Sequence, residues 1–149
     1  VKKRSQYAAL PYRVQGEDEL HVLLVTSRET GRWVIPKGWP MKNRKPHRAA
    51  TLEAFEEAGA IGVAEKRPIG TYEYAKRLED GSALLCKVAV FPLAVESLAS
   101  EWPEAGERER RWFEPNQAAD QVDEPALAQM LREFAGVSGR AGVNGRGDR

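Results

Sequence analysis

GWPMKNRKPHRAATLEAFEEAGA, residues 38–60, is the stretch whose reading decides the fold. It opens as a polar loop after the strand-like Trp33-Val34-Ile35, which Pro36 stops. The loop and its edges carry Lys37, Lys42, Arg44, Lys45 and Arg48, with no acidic residue among them. From Pro46 the composition turns to alanine and glutamate, which favour helix, and proline suits a first helical turn. The spacing predicts a helix over residues 46–58, closed by Gly59 as a left-handed cap. On that helix Glu53, Glu56 and Glu57 fall at i, i+3 and i+4 and share a face. Three like charges there repel unless a cation sits among them, and hard divalent cations such as Mg²⁺ and Mn²⁺ prefer oxygen donors. A solvated helix face would carry the same glutamates, so the heptapeptide alone decides nothing. Gly38, fifteen residues before Glu53, supplies the context that does.

Outward from this stretch, residues 7–14 and 20–26 read as two strands joined by Gly16-Glu17-Asp18. Residues 69–76 and 83–92 read as a hairpin about Glu79-Asp80-Gly81, and residues 110–113 as a short strand. Asp123-Glu124-Pro125 opens a helix to about Phe134 with Leu127, Met130, Leu131 and Phe134 on one face. Strand-rich, helix, strand-rich, helix is a mixed α+β order. The chain shows no repeat, and reads as one domain over residues 1–136 with a flexible tail over 137–149 rich in Gly, Ser and Arg. Truncating that tail is expected to leave melting temperature and activity unchanged. Arg146-Gly147-Asp148 in it is taken as coincidence.

The 149 residues carry net charge +1, with 42% hydrophobic and 30% charged side chains, as a globular domain does. The charge is uneven: residues 1–50 hold 11 basic and 4 acidic side chains. That points to an anionic partner on one side. The longest apolar stretch, residues 83–95, is broken by Lys87 and Pro92 and is too short for a membrane span. The single cysteine, Cys86, reads as a buried thiol in a reducing compartment, and the expectation is a cytoplasmic protein without a membrane or nucleic-acid partner. Two histidines, His21 and His47, and no cysteine pair speak against zinc. Neither a Walker loop nor a Gly-x-Gly-x-x-Gly motif occurs.

The stretch 38–60 resembles the Nudix box, G-x5-E-x7-R-E-U-x-E-E-x-G-U, where U is bulky and apolar. Gly38, Glu53, Glu56, Glu57 and Gly59 match at their offsets, and Ala54 and Ala60 match the apolar positions weakly. Arg44 stands where the family has glutamate, and Leu52 where it has arginine. Lys2-Lys3-Arg4, residues 22–28, residues 32–36, Glu101-Trp102, Arg111-Trp112-Phe113 and a helix beginning near Pro115 resemble the diphosphoinositol-polyphosphate phosphohydrolase branch. The similarity spans about residues 2–135.

The resemblance implies a Nudix fold, a mixed β-sheet between helices with the box as loop–helix–loop. It implies a pyrophosphohydrolase that needs Mg²⁺ or Mn²⁺ and cleaves a diphosphate linkage by water attack. Carried over, Glu53, Glu56 and Glu57 are catalytic and bind the metal with the Gly38 carbonyl, and Glu53 is the residue favoured to deprotonate water. The substrate is a small phosphoanhydride of the dinucleoside polyphosphate or diphosphoinositol polyphosphate class, with nucleoside diphosphate sugars also open. Lys3, Arg4, Arg28 and Lys37 are the candidates for its phosphates, and Trp39 for stacking on a base or covering the loop. A further acidic ligand is expected from a later strand; Arg111 occupies the obvious place, which leaves Glu107 or Glu109. The family's arginine and first glutamate belong to an ionic network that orients the box, so Arg44 and Leu52 predict a slowed enzyme. Restoring the pair is expected to raise turnover by about 10-fold or more. The alternative is a Nudix-fold module that binds a phosphorylated ligand without cleaving it. Oligomeric state is not readable from these residues. Trp33 and Trp112 are assigned to the core.

Overall fold

The structure, a computed structural model, describes residues 3–17 and 19–136. The tail over 137–149 and the turn residue Asp18 lie outside the described residues. Among the described residues nine strands and three helices follow in the order β1 (Lys3–Gln15), β2 (Glu19–Thr26), β3 (Trp33–Val34), β4 (Lys37–Gly38), α1 (Pro46–Ala58), β5 (Ala60–Ile61), β6 (Gly70–Arg77), β7 (Ala83–Ala94), β8 (Ser97–Leu98), β9 (Arg110–Phe113), α2 (Pro115–Gln121) and α3 (Pro125–Gly136).

β1 is the spine of the sheet. It pairs in parallel with β7 from Lys3↔Leu85 to Tyr12↔Ala94, and antiparallel with β2 from Tyr12↔Val22 to Gln15↔Glu19. β6 closes one side as the antiparallel hairpin partner of β7, and β9 pairs antiparallel with β2 on the other. A separate two-stranded ribbon joins β5 to β8. Parallel and antiparallel pairs in one sheet confirm the mixed α+β architecture read from the sequence.

Both faces of the sheet are covered, which is why β2 is almost continuously apolar. Val22 and Leu24 face the core under α2 and α3 with Leu10, Val88, Leu127 and Leu131. Leu23 and Val25 face the core under α1 with Phe91 and Leu93. From α1 that second core takes Ala50, Ala54 and Ala58, one small residue every four, so the helix lies close on the sheet. Helix α1 has the bounds read from the sequence, with Pro46 in its first turn and Gly59 at φ 67° as its cap.

Three expectations change. Helix α2 escaped the residue pattern, although the family resemblance placed a helix near Pro115. It has seven residues, and its capping box runs between Glu114 and Gln117. It buries Pro115, Ala118 and Ala119, too little apolar surface to show as a stripe. Trp33 and Trp112 are half-buried at the edges of the two cores, against which they pack, each under a guanidinium: Arg111 lies 5.0 Å from the Trp33 ring centroid, and Arg13 lies 4.2 Å from that of Trp112. Residues 107 and 109 precede β9 and lie on no strand. Cys86 is fully buried, as expected.

Candidate active site

The register explains where the site forms. Val22 pairs with both Tyr12 and Phe113, so β1 and β9 flank opposite edges of β2. Val25 pairs with both Val34 and Arg110, so β3 lies on the same edge of β2 as β1. By the same logic Tyr7, paired with Gly38 and Ala89, puts β4 on the edge of β1 that faces β2. β1 and β2 therefore splay beyond Tyr12 and Val22, and β3 and β4 fill the fork. Gly38 sits in that fork, held through the Lys37↔Ala8 and Gly38↔Tyr7 pairs.

Helix α1 lays a second row beside its alanine stripe: Glu53 and Glu57, one turn apart, against β4. A Cβ on Gly38 would overlap the Glu53 carboxylate, so a side chain there would push that carboxyl out of its place. Glu57 is buried, Glu53 half-buried and Glu56 exposed.

The C-terminal end of α1 is fixed by groups far along the chain. A helix leaves its last four carbonyls without intrahelical partners. Here Phe55 O accepts from Gly59 N–H at 2.9 Å and Glu56 O from Glu104 N–H at 3.0 Å. Glu57 O accepts from Trp102 Nε1 at 3.1 Å and Ala58 O from Arg110 Nη1 at 3.0 Å. The same segment brings Glu104 and Arg108 over the box glutamates. Arg108 Nε donates to Glu104 Oε1 at 2.6 Å, and its Nη2 lies 3.7 Å from Glu57 Oε2.

These groups line a cavity of about 290 Å³. Glu53, Glu57 and Gly38 form one side with Glu29 and Glu104; Arg28, Lys37, Lys76 and Arg108 supply positive charge; Gln6, Tyr74 and Trp39 complete the wall. Tyr74 Oη donates to Gln6 Oε1 at 2.7 Å. The Lys37 ammonium lies 4.9 Å from the Tyr74 ring centroid, and burial pushes its pKa down. Anions and cations face one another here, as cleavage of a polyanion next to carboxylates requires.

Of the residues expected from the sequence, Gly38, Glu53, Glu57, Arg28, Lys37 and Trp39 line the cavity. Glu56 is exposed and is not among the residues lining it. Lys3 and Arg4 do not line it: Lys3 pairs with Glu73 at 2.8 Å, and the Arg4 guanidinium lies 5.6 Å from the ring centroid of Trp39. Arg28 carries a surface pair with Glu107 at 2.8 Å, both about half exposed, a contact weak enough to open for a phosphate. Glu107 is thus turned to Arg28 and Glu109 is exposed at the rim; the acidic residue beside the pair is Glu104. Sequence reading missed Glu104 and Arg108. Their only signal is a mixed run of charges after Trp102-Pro103, which also describes a solvated loop.

Burial first, then the charges of Glu57, Glu56 and Glu104, push the Glu53 pKa up to about 8. Burial raises Glu57 to about 7, against the pull of Arg108, Lys37 and the Lys37 backbone N–H. Two buried carboxyls that repel each other are what a divalent cation between them would stabilise in the charged form. Their oxygens are the hard donors that Mg²⁺ and Mn²⁺ take. Among the described residues no ready-made group of three or more His, Cys, Asp or Glu side chains surrounds a metal position. The fit therefore rests on this pair, with Glu56 and Glu104 next to it.

The raised values carry a stability prediction. Both glutamates hold protons in the folded chain above the ordinary value of 4.5. From there to about 8 the folded state binds more protons than the unfolded one, so stability falls as pH rises. Without metal the protein is expected to melt at a lower temperature at pH 8 than at pH 6.5. Saturating Mg²⁺ or Mn²⁺ should close the gap and Glu53→Gln should shrink it. A gap that Glu53→Gln leaves intact removes this account.

A family model described as NUDIX domain matches residues 2–134. "Nudix hydrolase 12, mitochondrial" of Arabidopsis thaliana is 32% identical over 143 residues, covering 86% of this chain and 70% of that protein. "Diphosphoinositol polyphosphate phosphohydrolase 3-alpha" of Mus musculus is 32% identical over 137 residues, covering 89% of this chain and 77% of that one. Among solved structures, a binary complex of a C. elegans Ap4A hydrolase aligns with TM-score 0.68 at 21% identity, over 94% of this chain and 99% of that chain. A NUDIX hydrolase from Nitrosomonas europaea aligns with TM-score 0.67 at 19% identity, over 92% and 91%. The structural likenesses bear on the fold alone.

Proposed function

This chain belongs to the NUDIX domain family and is a hydrolase of pyrophosphate bonds; from that premise we propose that it is a divalent-metal-dependent pyrophosphohydrolase acting on a dinucleoside polyphosphate or a diphosphoinositol polyphosphate. The observation that carries this reading is the Glu53–Glu57 pair packed on Gly38 inside a cavity that also holds Arg28, Lys37 and Lys76. When bound, Mg²⁺ or Mn²⁺ would neutralise phosphate charge and acidify the attacking water. Glu53, Glu57, Glu56 and the Gly38 carbonyl are the groups that would hold it. Glu53, half-buried where the Gly38 backbone approaches its carboxyl, accepts the proton of the attacking water. Lys37, Arg28 and Lys76 offset charge on the bridging and outer phosphates. The partner is a small molecule, and no nucleic acid or membrane enters this reading. Among the described residues no helix is long and apolar enough to cross a membrane. The buried, single Cys86 suits a reducing cytosol.

The test is product release from a panel of both substrate classes and nucleoside diphosphate sugars, with Mg²⁺, with Mn²⁺ and with chelator. Metal-dependent cleavage of one class supports the proposal. Tight binding without turnover supports the alternative, a binding module, which the exposed position of Glu56 and the substitutions at Arg44 and Leu52 favour. Trp39 separates the two substrate classes. It lines the cavity at 38% exposure, with the Arg4 guanidinium near its ring. Base–aromatic stacking contributes about 1–3 kcal/mol, so Trp39→Ala is expected to raise KM for a dinucleoside polyphosphate by about 5-fold or more. KM for a diphosphoinositol polyphosphate, which has no base, should stay within about 2-fold.

A further inference from the structure

Arg108 differs from the other cations of the cavity. Its side chain is only 10% exposed, and all three guanidinium nitrogens face groups of the chain itself. Nε donates to Glu104 Oε1 at 2.6 Å, Nη1 donates to the Thr26 carbonyl at 3.0 Å, and Nη2 lies 3.7 Å from Glu57 Oε2. A guanidinium is a rigid planar fork, so engagement on three sides fixes its orientation. Arg28 is half exposed on a surface pair, and Lys37 makes no ion pair among the described residues. Those two are free to meet a phosphate, whereas Arg108 is already committed.

The carboxylates it holds are both in the cavity wall. Helix α1 offers them no cation of its own. Position 52 is a leucine, and Arg48, the one arginine on the helix, is exposed. Among the described residues Arg108 is the sole ion-pair partner of Glu57. Its second hydrogen bond runs to the Thr26 carbonyl at the end of β2, so it ties Glu57 to the sheet independently of β4. A buried carboxylate that loses such a partner is left uncompensated and turns away or takes up a proton.

We propose that Arg108 is the positioning residue that orients Glu57 and Glu104 in this chain, replacing from the loop before β9 the support that Leu52 cannot give from the helix. This rests on the proposed function only in taking Glu57 as a metal-holding group. It also revises the expectation drawn from Arg44 and Leu52. If the support has moved rather than vanished, Arg44→Glu with Leu52→Arg gains less than the tenfold read from the sequence.

The test is Mn²⁺ affinity of the whole chain without substrate, read from the electron paramagnetic resonance signal of free Mn²⁺, with a melting curve for each variant. Arg108→Gln is expected to weaken Mn²⁺ by about 10- to 100-fold while still melting cooperatively. Arg108→Lys should recover only part, since an ammonium lacks the fork that spans both carboxylates. Adding Arg44→Glu and Leu52→Arg to Arg108→Gln should restore about 10-fold of the loss, whereas the same pair in the unaltered chain should change Mn²⁺ affinity by less than about 3-fold. A folded Arg108→Gln that binds Mn²⁺ as the parent does, with only KM raised, overturns the proposal and makes Arg108 a phosphate ligand. A crystal structure of metal-free Arg108→Gln keeps the question apart from metal binding. A Glu57 carboxyl displaced from β4 supports the positioning role even if the parent binds no Mn²⁺. One that stays in place overturns it.

Discussion

Glu53→Gln is expected to lower kcat by about 10²- to 10⁴-fold, the range for a positioned proton acceptor. The amide keeps the size of the side chain, so its packing on Gly38 survives, but it can neither take a proton nor add charge for a metal. Glu57→Gln should cost activity as well, mainly through weaker metal binding. Glu53→Gln carries a second signature of opposite sign. The repulsion between Glu53 and Glu57 is present only when both are charged, so without metal at pH 8 the variant should melt above the parent. Stopped catalysis together with raised metal-free stability is expected from a residue placed for function at a cost to the fold. Rate assays with and without metal and two melting curves check both halves. Unchanged turnover on a working substrate would mean that the proposed proton acceptor is wrong.

Gly59→Ala is expected to be the most destabilising single methyl in the site's frame. Gly59 adopts φ 67°, where an L side chain is strained, and its Cβ would come within 2.7 Å of Arg110 Nη1 and 2.8 Å of the Trp102 ring. Those two side chains accept no displacement without loss, because they cap the Glu57 and Ala58 carbonyls. Backbone strain and overpacking together amount to about 2–4 kcal/mol. A fall in Tm of roughly 10 °C follows for a domain of this size. Activity should fall further than Tm implies, since the same two caps set the end of the helix that carries Glu57. Gly81→Ala is the control: it also has positive φ, at 89°, but nothing lies within 4 Å of its Cβ. It should show strain without the overlap and leave turnover unchanged. Equal effects at both glycines would remove the Trp102–Arg110 clamp from the argument.

The helix over residues 46–58 was fully legible in the sequence because everything that starts and stops it is local: Pro46 at its first turn, alanines through it and Gly59 after it. The longer strands were legible for a related reason, whereas the two-residue β4, β5 and β8 left no pattern in the sequence. Buried on both faces, β2 and β7 keep apolar side chains at nearly every position, and the turns between strands carry glycine. Helix α2 left little trace because seven residues burying one proline and two alanines make no stripe.

Within the site the division follows the same physics. Gly38, Glu53, Glu56 and Glu57 are related by spacing along one loop and one helix, and spacing is a property of the chain. Which of the glutamates are buried is not: Glu53 and Glu57 face β4 and Glu56 faces solvent only because the alanine stripe seats α1 on the sheet in one rotation. Arg28 and Lys37 enter the cavity while Lys3 and Arg4 do not, a sorting set by where β1 and β2 splay. Glu104 and Arg108 lie some fifty residues from the glutamates they approach, and are brought there by hydrogen bonds to the open carbonyls of α1. The sequence by itself determined the elements and the order of the acidic residues on α1, since propensity, capping and periodicity act over a few residues. Only the tertiary structure decided which carboxylates meet, what they meet and which arginine holds them, because side-chain pairing across the chain depends on packing and register that no local pattern encodes.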